Sequence, residues 1–228
     1  MTEGASRTLG SPAVKICGLT RKEDACEAVK AGAGFLGVVL VPGTPRALTA
    51  HEAGDLLSGL SVPVVAVLAD VPLDQAAMEG TASAASVLQL HGRESPEYVD
   101  SLRGQGPWAI WKALRVRTPD DVRRGLDAFG ELVDGILLDG WHPFRKGGTG
   151  TSFSWKDVEA VRKCFPTGLN LILAGGLTPQ NVDEAIRRLN PDIVDVSSGV
   201  ESSPGIKDSN QIRAFIQNAR QAGKGEGR

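Results

Sequence analysis

Val14-Lys15-Ile16-Cys17-Gly18-Leu19-Thr20 is a short apolar run, broken by one lysine, that ends in a thiol, a glycine turn and a polar helix start. In an open doubly wound sheet this first strand-to-helix turn would normally carry G-x-G-x-x-G to hold a dinucleotide phosphate. Here it reads Cys17-Gly18-Leu19-Thr20, and that fingerprint is missing. The same unit, a short strand and then a helix, recurs along the chain. Strands are expected at Val14–Cys17, Phe35–Leu40, Val64–Leu68, Val87–Leu90, Ala109–Ala113, Gly135–Leu138, Leu171–Leu173 and Ile193–Val196. Most are apolar throughout, as strands buried on both faces are. Eight such units in 228 residues, joined by right-handed crossovers, close most economically into a single α/β domain, a (β/α)8 TIM barrel; about 250 residues is usual for that fold.

The helical periodicity between the strands places helices near Lys22–Ala31, Ala50–Gly59, Asp74–Ser83, Pro96–Arg103, Pro119–Phe129, Trp155–Cys164, Pro179–Leu189 and Ser209–Gln221. Thr20 precedes Glu23 and Thr49 precedes Glu52, the spacing of a capping box. Thr118 and Thr178 each precede a proline suited to the first helical position. Gly32, Gly104 and Gly130 are expected to close helices. Residues 1–12 are expected to be a flexible N-terminal segment, 13–221 the barrel and 222–228 a frayed tail. The glycine-rich stretch Asp139–Ser154 is too long for an ordinary connection and reads as a mobile loop over an active site.

A net charge of -2 with no basic block argues against nucleic acid as a partner. The nearly apolar run Ala31–Val41 is too short to span a bilayer, so no membrane partner is expected. The polar Met1–Pro12 stretch does not read as a signal peptide. Cys17, Cys26 and Cys164 form no CxxC pair and no zinc-ligand spacing, which suits a reducing, cytoplasmic setting and points to no metal.

In barrels of this kind, chemistry sits at the C-terminal strand ends. Polar residues there are few: Lys15, Cys17, Arg46, Asp70, His91, Lys112, Asp139, Asp195 and the turns Ala174-Gly175-Gly176-Leu177 and Ser197-Ser198-Gly199-Val200. Packing alone accounts for a thiol at Cys17, since free cysteine is among the most buried residue types. Beside Lys15 it also reads as a base or nucleophile, which requires thiolate. Asp139 reads either as a loop hydrogen-bonding residue or as a general acid kept protonated under a covering loop. His91 reads as a structural group or a catalyst, and Arg46 as a surface charge or a fork for a carboxylate. The turns after strands seven and eight are where this fold often binds phosphate, and Gly147-Gly148-Thr149-Gly150 adds a third glycine-rich loop.

Taken together, Val14-Lys15-Ile16-Cys17-Gly18-Leu19, Pro45-Arg46, Gln89-Leu90-His91-Gly92, Leu138-Asp139, Gly147–Gly150, Leu173–Leu177 and Asp195–Glu201 resemble the phosphoribosylanthranilate isomerase family across about residues 13 to 217. The resemblance implies an Amadori rearrangement of N-(5-phosphoribosyl)anthranilate in tryptophan biosynthesis, on a small phosphorylated substrate, with no cofactor or metal, in a monomer or homodimer. It implies Asp139 as general acid and Cys17 as general base. Arg46, His91 and Asp195 would contact substrate, and Gly148, Gly175, Gly176, Ser197 and Ser198 would hold its phosphate. The Asp139–Gly147 segment is longer than the family pattern and carries Trp141, Pro143 and Phe144. Two alternatives remain: a phosphosugar isomerase of the histidine pathway, whose family places aspartate at the end of strand one, and a non-catalytic phosphate-binding barrel.

Overall fold

A computed structural model describes residues 11–139 and 161–223. Eight strands close into a parallel barrel in chain order: β1 Ala13–Ile16, β2 Phe35–Val39, β3 Val64–Leu68, β4 Val87–Leu90, β5 Ala109–Arg115, β6 Gly135–Asp139, β7 Asn170–Leu173 and β8 Ile193–Val196. The helices are α1 Lys22–Ala31, α2 Ala50–Leu57, α3 Leu73–Ala82, α4 Pro96–Arg103, α5 Pro119–Phe129, α6 Val182–Leu189 and α7 Ser209–Ala222. Val161–Lys163 are helical; the rest of the helix expected from Trp155, and the loop from residue 140 onward, lie outside the described residues. A short hairpin, β9 Glu201–Ser203 with β10 Ile206–Lys207, follows a 3-10 turn after β8.

Two buried layers account for the uniformly apolar strands. One residue parity faces the helices and packs Ile16, Leu36, Val38, Leu88, Leu90, Ile136 and Val194 against them. The opposite parity fills the barrel interior with Val65, Val87, Trp111, Leu137, Ile172 and Ile193. There Phe35 meets Trp111 edge-on, with ring centroids 5.0 Å apart. Strand side chains alternate with period two. The interior columns therefore run upward as Ala13–Lys15–Cys17, Val87–Gln89–His91, Leu137–Asp139 and Ile193–Asp195–Ser197. Each column is apolar at the bottom and polar at the top, and this is what delivers functional groups to one end.

Local chemistry sets the helix starts. Thr49 and Glu52 form the expected capping box, and Thr118 forms one with Asp121. Thr20 does not cap α1, because its hydroxyl donates instead to the Gly205 carbonyl at 2.5 Å. Arg21 takes the cap position and spans to Asp24. Thr178 does not start α6 either. Its amide donates to Asn181 Oδ1 at 2.8 Å, and Asn181 (φ -125°) turns the chain before the helix begins at Val182. Of the three expected closing glycines only Gly32 is left-handed, with φ 96°; Gly104 and Gly130 continue in the right-handed region. Near the two ends of the described residues, the Ser11 hydroxyl donates to the Arg220 carbonyl, and Ala222 is buried as the last residue of α7.

Candidate active site

The polar tops of the columns open into a pocket of about 580 Å³ at the C-terminal mouth of the barrel, a size suited to a small molecule. Cys17, Arg46, His91, Asp139, Gly175, Gly176, Asp195, Ser197 and Ser198 all line it, so nine expected site residues converge on one space. Gly148 lies outside the described residues. Asp70, just beyond the end of β3, and Lys112, which lies inside β5 because that strand runs on to Arg115, do not line the pocket. Lys112 instead makes a buried ion pair with Glu94 at 3.0 Å and donates to the Leu90 and Gly92 carbonyls, which flank His91 in sequence, and so fixes the loop after β4.

Beneath Cys17, Lys15 is fully buried. Its ammonium donates to Asp195 Oδ2 at 3.1 Å and to Gln89 Oε1 at 2.9 Å. Lys15 and Asp195 are Cα partners across β1 and β8, so the ion pair follows from strand register. Burial works against the Lys15 charge, but Asp195 and the neighbouring Cys17 more than offset it and hold its pKa above the ordinary lysine value. Burial also pushes the Cys17 thiol up, against the pull of Lys15. Room for this pair comes from Gly37 on β2, where a Cβ would stand 2.8 Å from Cys17 Sγ and 2.9 Å from Lys15 Cε.

An ammonium can only donate, so the Gln89 oxygen faces Lys15 and the Gln89 amide nitrogen faces His91. Gln89 Nε2 lies 3.4 Å from His91 Nδ1, and His91 Nε2 lies 3.0 Å from Asp139 Oδ2. With Nδ1 accepting, neutral His91 carries its proton on Nε2 and presents it to Asp139. A row of four side chains thus links the region of Cys17 on β1 to Asp139 on β6. Asp195 Oδ1, meanwhile, is a buried acceptor with no partner among the described residues, in a residue that lines the pocket.

The two turns beyond β7 and β8 are locked together. Gly175 and Gly176 take left-handed φ values of 84° and 68°, and their amides donate to no group among the described residues. Asn181 Nδ2 holds the Gly176 carbonyl at 3.0 Å. A Cβ on Gly199 would stand 1.9 Å from the Leu177 carbonyl, so glycine is what lets these turns touch. On the opposite wall the Arg46 fork is already engaged: Nε and Nη2 donate to Glu201 at 2.7 and 2.6 Å. Its Nη1 makes no bond among the described residues. Val39, Val41, Val67 and Leu177 give the pocket an apolar flank.

Sequence reading missed Gln89 and Arg115 as pocket residues, and Glu201 and Lys207 behind Arg46. For Gln89 and Arg115 the signal was parity: each sits two residues from a position already singled out on its own strand or shares the inward side of the strand end. Among the described residues no group of three potential metal ligands gathers, and no helix is long and apolar enough to cross a membrane.

Comparison with known proteins gives a consistent result. The profile of the family described as N-(5'phosphoribosyl)anthranilate (PRA) isomerase matches residues 14–218. The N-(5'-phosphoribosyl)anthranilate isomerase of Geobacter sulfurreducens is 42% identical over 210 residues, covering 91% of this chain and 98% of that protein. The crystal structure of phosphoribosyl anthranilate isomerase from Thermotoga maritima superposes with a TM-score of 0.81 at 35% identity, covering 92% of this chain and 99% of that one. A crystal structure of the enzyme in complex with reduced 1-(o-carboxyphenylamino)-1-deoxyribulose 5-phosphate gives a TM-score of 0.80 at 33% identity, with the same coverage.

Proposed function

The chain belongs to the phosphoribosylanthranilate isomerase family of tryptophan-biosynthesis enzymes, and from that premise we propose that Cys17 and Asp139 are its general base and general acid. Asp139 protonates the ribose ring oxygen of N-(5-phosphoribosyl)anthranilate and opens the ring to a Schiff base. Cys17, as thiolate, removes the C2 proton to give an enolamine that tautomerises to the ketone. The observation that carries the reading is that an acid, a thiol and paired glycine turns line a single pocket. Acid and base come from β6 and β1, so a sugar lying between them is reached from two sides.

The surrounding groups fit that substrate. His91 Nε2–H at 3.0 Å from Asp139 supports the carboxylate left behind once the proton has moved. Asp195 Oδ1, buried and without a partner among the described residues, accepts the substrate's anilino N–H. Arg46 takes the anthranilate carboxylate through its Nη1 side, with the aromatic ring on the apolar flank. The Gly175 and Gly176 amides and the Ser197 and Ser198 hydroxyls take the phosphate, aided by Gly148. The reaction needs no cofactor in this reading, and it runs in the cytosol in a monomer or homodimer.

Cys17→Ser and Asp139→Asn test it. Substrate is generated in situ from anthranilate and its loss followed by fluorescence. Each variant, folded by circular dichroism, is expected to lose about 10² or more in turnover. Near-normal turnover in either one would sink the assignment of that residue.

A further inference from the structure

Behind the pocket wall, a single carboxylate stands between the two ends that the proposed reading reserves for anions. Glu201, whose side chain is 5% exposed, accepts both donors of Arg46 on one edge. Its Oε1 also accepts from Lys207 Nζ at 2.7 Å. Lys207 is itself buried, and the same ammonium donates to the Ser197 carbonyl at 3.1 Å and approaches the Ser197 hydroxyl at 3.4 Å. Arg46 belongs to the loop after β2, and Ser197 to the turn after β8. The two are therefore joined through one buried carboxylate and one buried ammonium.

The hairpin that carries this pair is firmly seated. Lys207 and Glu201 face each other as partners across β9 and β10. The Lys207 amide donates to Asp24 Oδ2 at 3.0 Å, and the Asp208 amide to the Val200 carbonyl at 2.9 Å. At its tip, the Gly205 carbonyl accepts from Thr20, and a Cβ on Gly205 would stand 2.9 Å from the Pro45 carbonyl, beside Arg46. The stem of Arg46 and the Ser197 hydroxyl also meet over Gly18, where a Cβ would be 2.5 and 2.9 Å from them. A guanidinium fixed along one edge by a buried carboxylate has its remaining edge aimed, whereas a free one sweeps many rotamers and spends binding energy on being ordered.

We propose that Glu201 and Lys207 are positioning residues for substrate binding, which lock Arg46 and the Ser197 turn into one unit so that the carboxylate-binding and phosphate-binding ends of the pocket act together. This rests on the roles given above to Arg46 and Ser197. Neither new residue is a catalytic residue, since both act through groups that line the pocket.

The experiment is a double-mutant cycle in steady-state kinetics, joined to inhibition by inorganic phosphate. Glu201→Gln keeps the shape and removes the charge. It is expected to raise KM by about tenfold while kcat stays within about threefold, the split that marks lost binding and not lost chemistry. In an Arg46→Ala background the same change should raise KM no further, because the group it aims is gone. Lys207→Met should weaken inhibition by inorganic phosphate by about fivefold. An unchanged KM in Glu201→Gln, or full additivity with Arg46→Ala, overturns the proposal. Should Glu201→Gln not fold, unchanged phosphate inhibition in Lys207→Met overturns it alone. If Arg46→Ala itself leaves KM at the wild-type value, the carboxylate role of Arg46 has failed; if Arg46→Ala raises KM and Glu201→Gln does not, only the positioning proposal has.

Discussion

Replacing Lys15 with methionine removes the one cation among the described residues that pairs with the buried Asp195 carboxylate. Asp195 Oδ1 already has no partner among the described residues, and Oδ2 would lose its 3.1 Å bond to the ammonium. Gln89 would lose the donor that orients it. Breaking a buried ion pair from one side costs about 3–5 kcal/mol, because it strands a charge in a poorly solvated place. Against a total stability of about 5–15 kcal/mol this is a large fraction. Urea denaturation followed by tryptophan fluorescence should show the midpoint falling by about 1–3 M. Pairing the change with Asp195→Asn removes the stranded charge, and the double variant should regain at least about half of the loss, since replacing a whole buried pair is often close to neutral. A second readout sits at Cys17. Without the pull of Lys15 its thiol rises further, so alkylation by iodoacetamide at fixed pH should slow. A single variant that loses under about 1 kcal/mol, or a double variant no more stable than the single, would refute the reasoning.

Three further outcomes are expected. Because burial raises the Cys17 pKa in the folded chain, the thiolate is the minor form at neutral pH and levels off only above the ordinary thiol value of about 8.5; the alkylation rate should still be climbing there, and a plateau near neutral pH would contradict it. Glu201 has a lowered folded pKa, since Arg46 and Lys207 outweigh the burial that opposes its charge. It therefore adds stability that is present above the unfolded value of about 4.3 and lost as pH falls through the folded one. The acid limb of a urea-midpoint titration should be shallower in Glu201→Gln, and an unchanged limb would count against it. Gly37→Ala places a methyl within 2.9 Å of both Cys17 Sγ and Lys15 Cε; turnover should fall by about tenfold or more with the fold retained, as overpacking displaces the thiol, and wild-type turnover would show that the wall yields.

The barrel was legible because its evidence is periodic. Eight apolar runs and their intervening helices can be read without any long-range contact, and several boundaries match to the residue: β3, β4, β8, α1, α4 and α5. Cys17, Asp139, Asp195 and the glycine turns were legible because a strand end is a local feature with known consequences. Gln89 and Lys15 lie one pleat below the mouth; their partnership depends on which strands are neighbours and in what register, and only barrel closure sets that. Thr20 failed as a cap because a hairpin some 185 residues away claims its hydroxyl. The hairpin itself, Glu201-Ser202-Ser203-Pro204-Gly205-Ile206-Lys207, is too short and too polar to announce strands. Its charges find Arg46 only in three dimensions.

The row from Lys15 through Gln89 and His91 to Asp139 also has a direction. Every hydrogen in it points the same way, away from the ammonium, and the amide in the middle cannot reverse without turning its oxygen toward another acceptor. Such a row polarises its far end but does not carry a proton from end to end, because the Gln89 amide nitrogen holds its hydrogens and has no lone pair to accept another. In the proposed reaction Cys17 ends a cycle with a proton too many and Asp139 with one too few. That imbalance is cleared through the reacting molecule itself, as the enolamine gains a proton at C1 and loses one from its hydroxyl, or through water in the pocket, and not along the row beneath it.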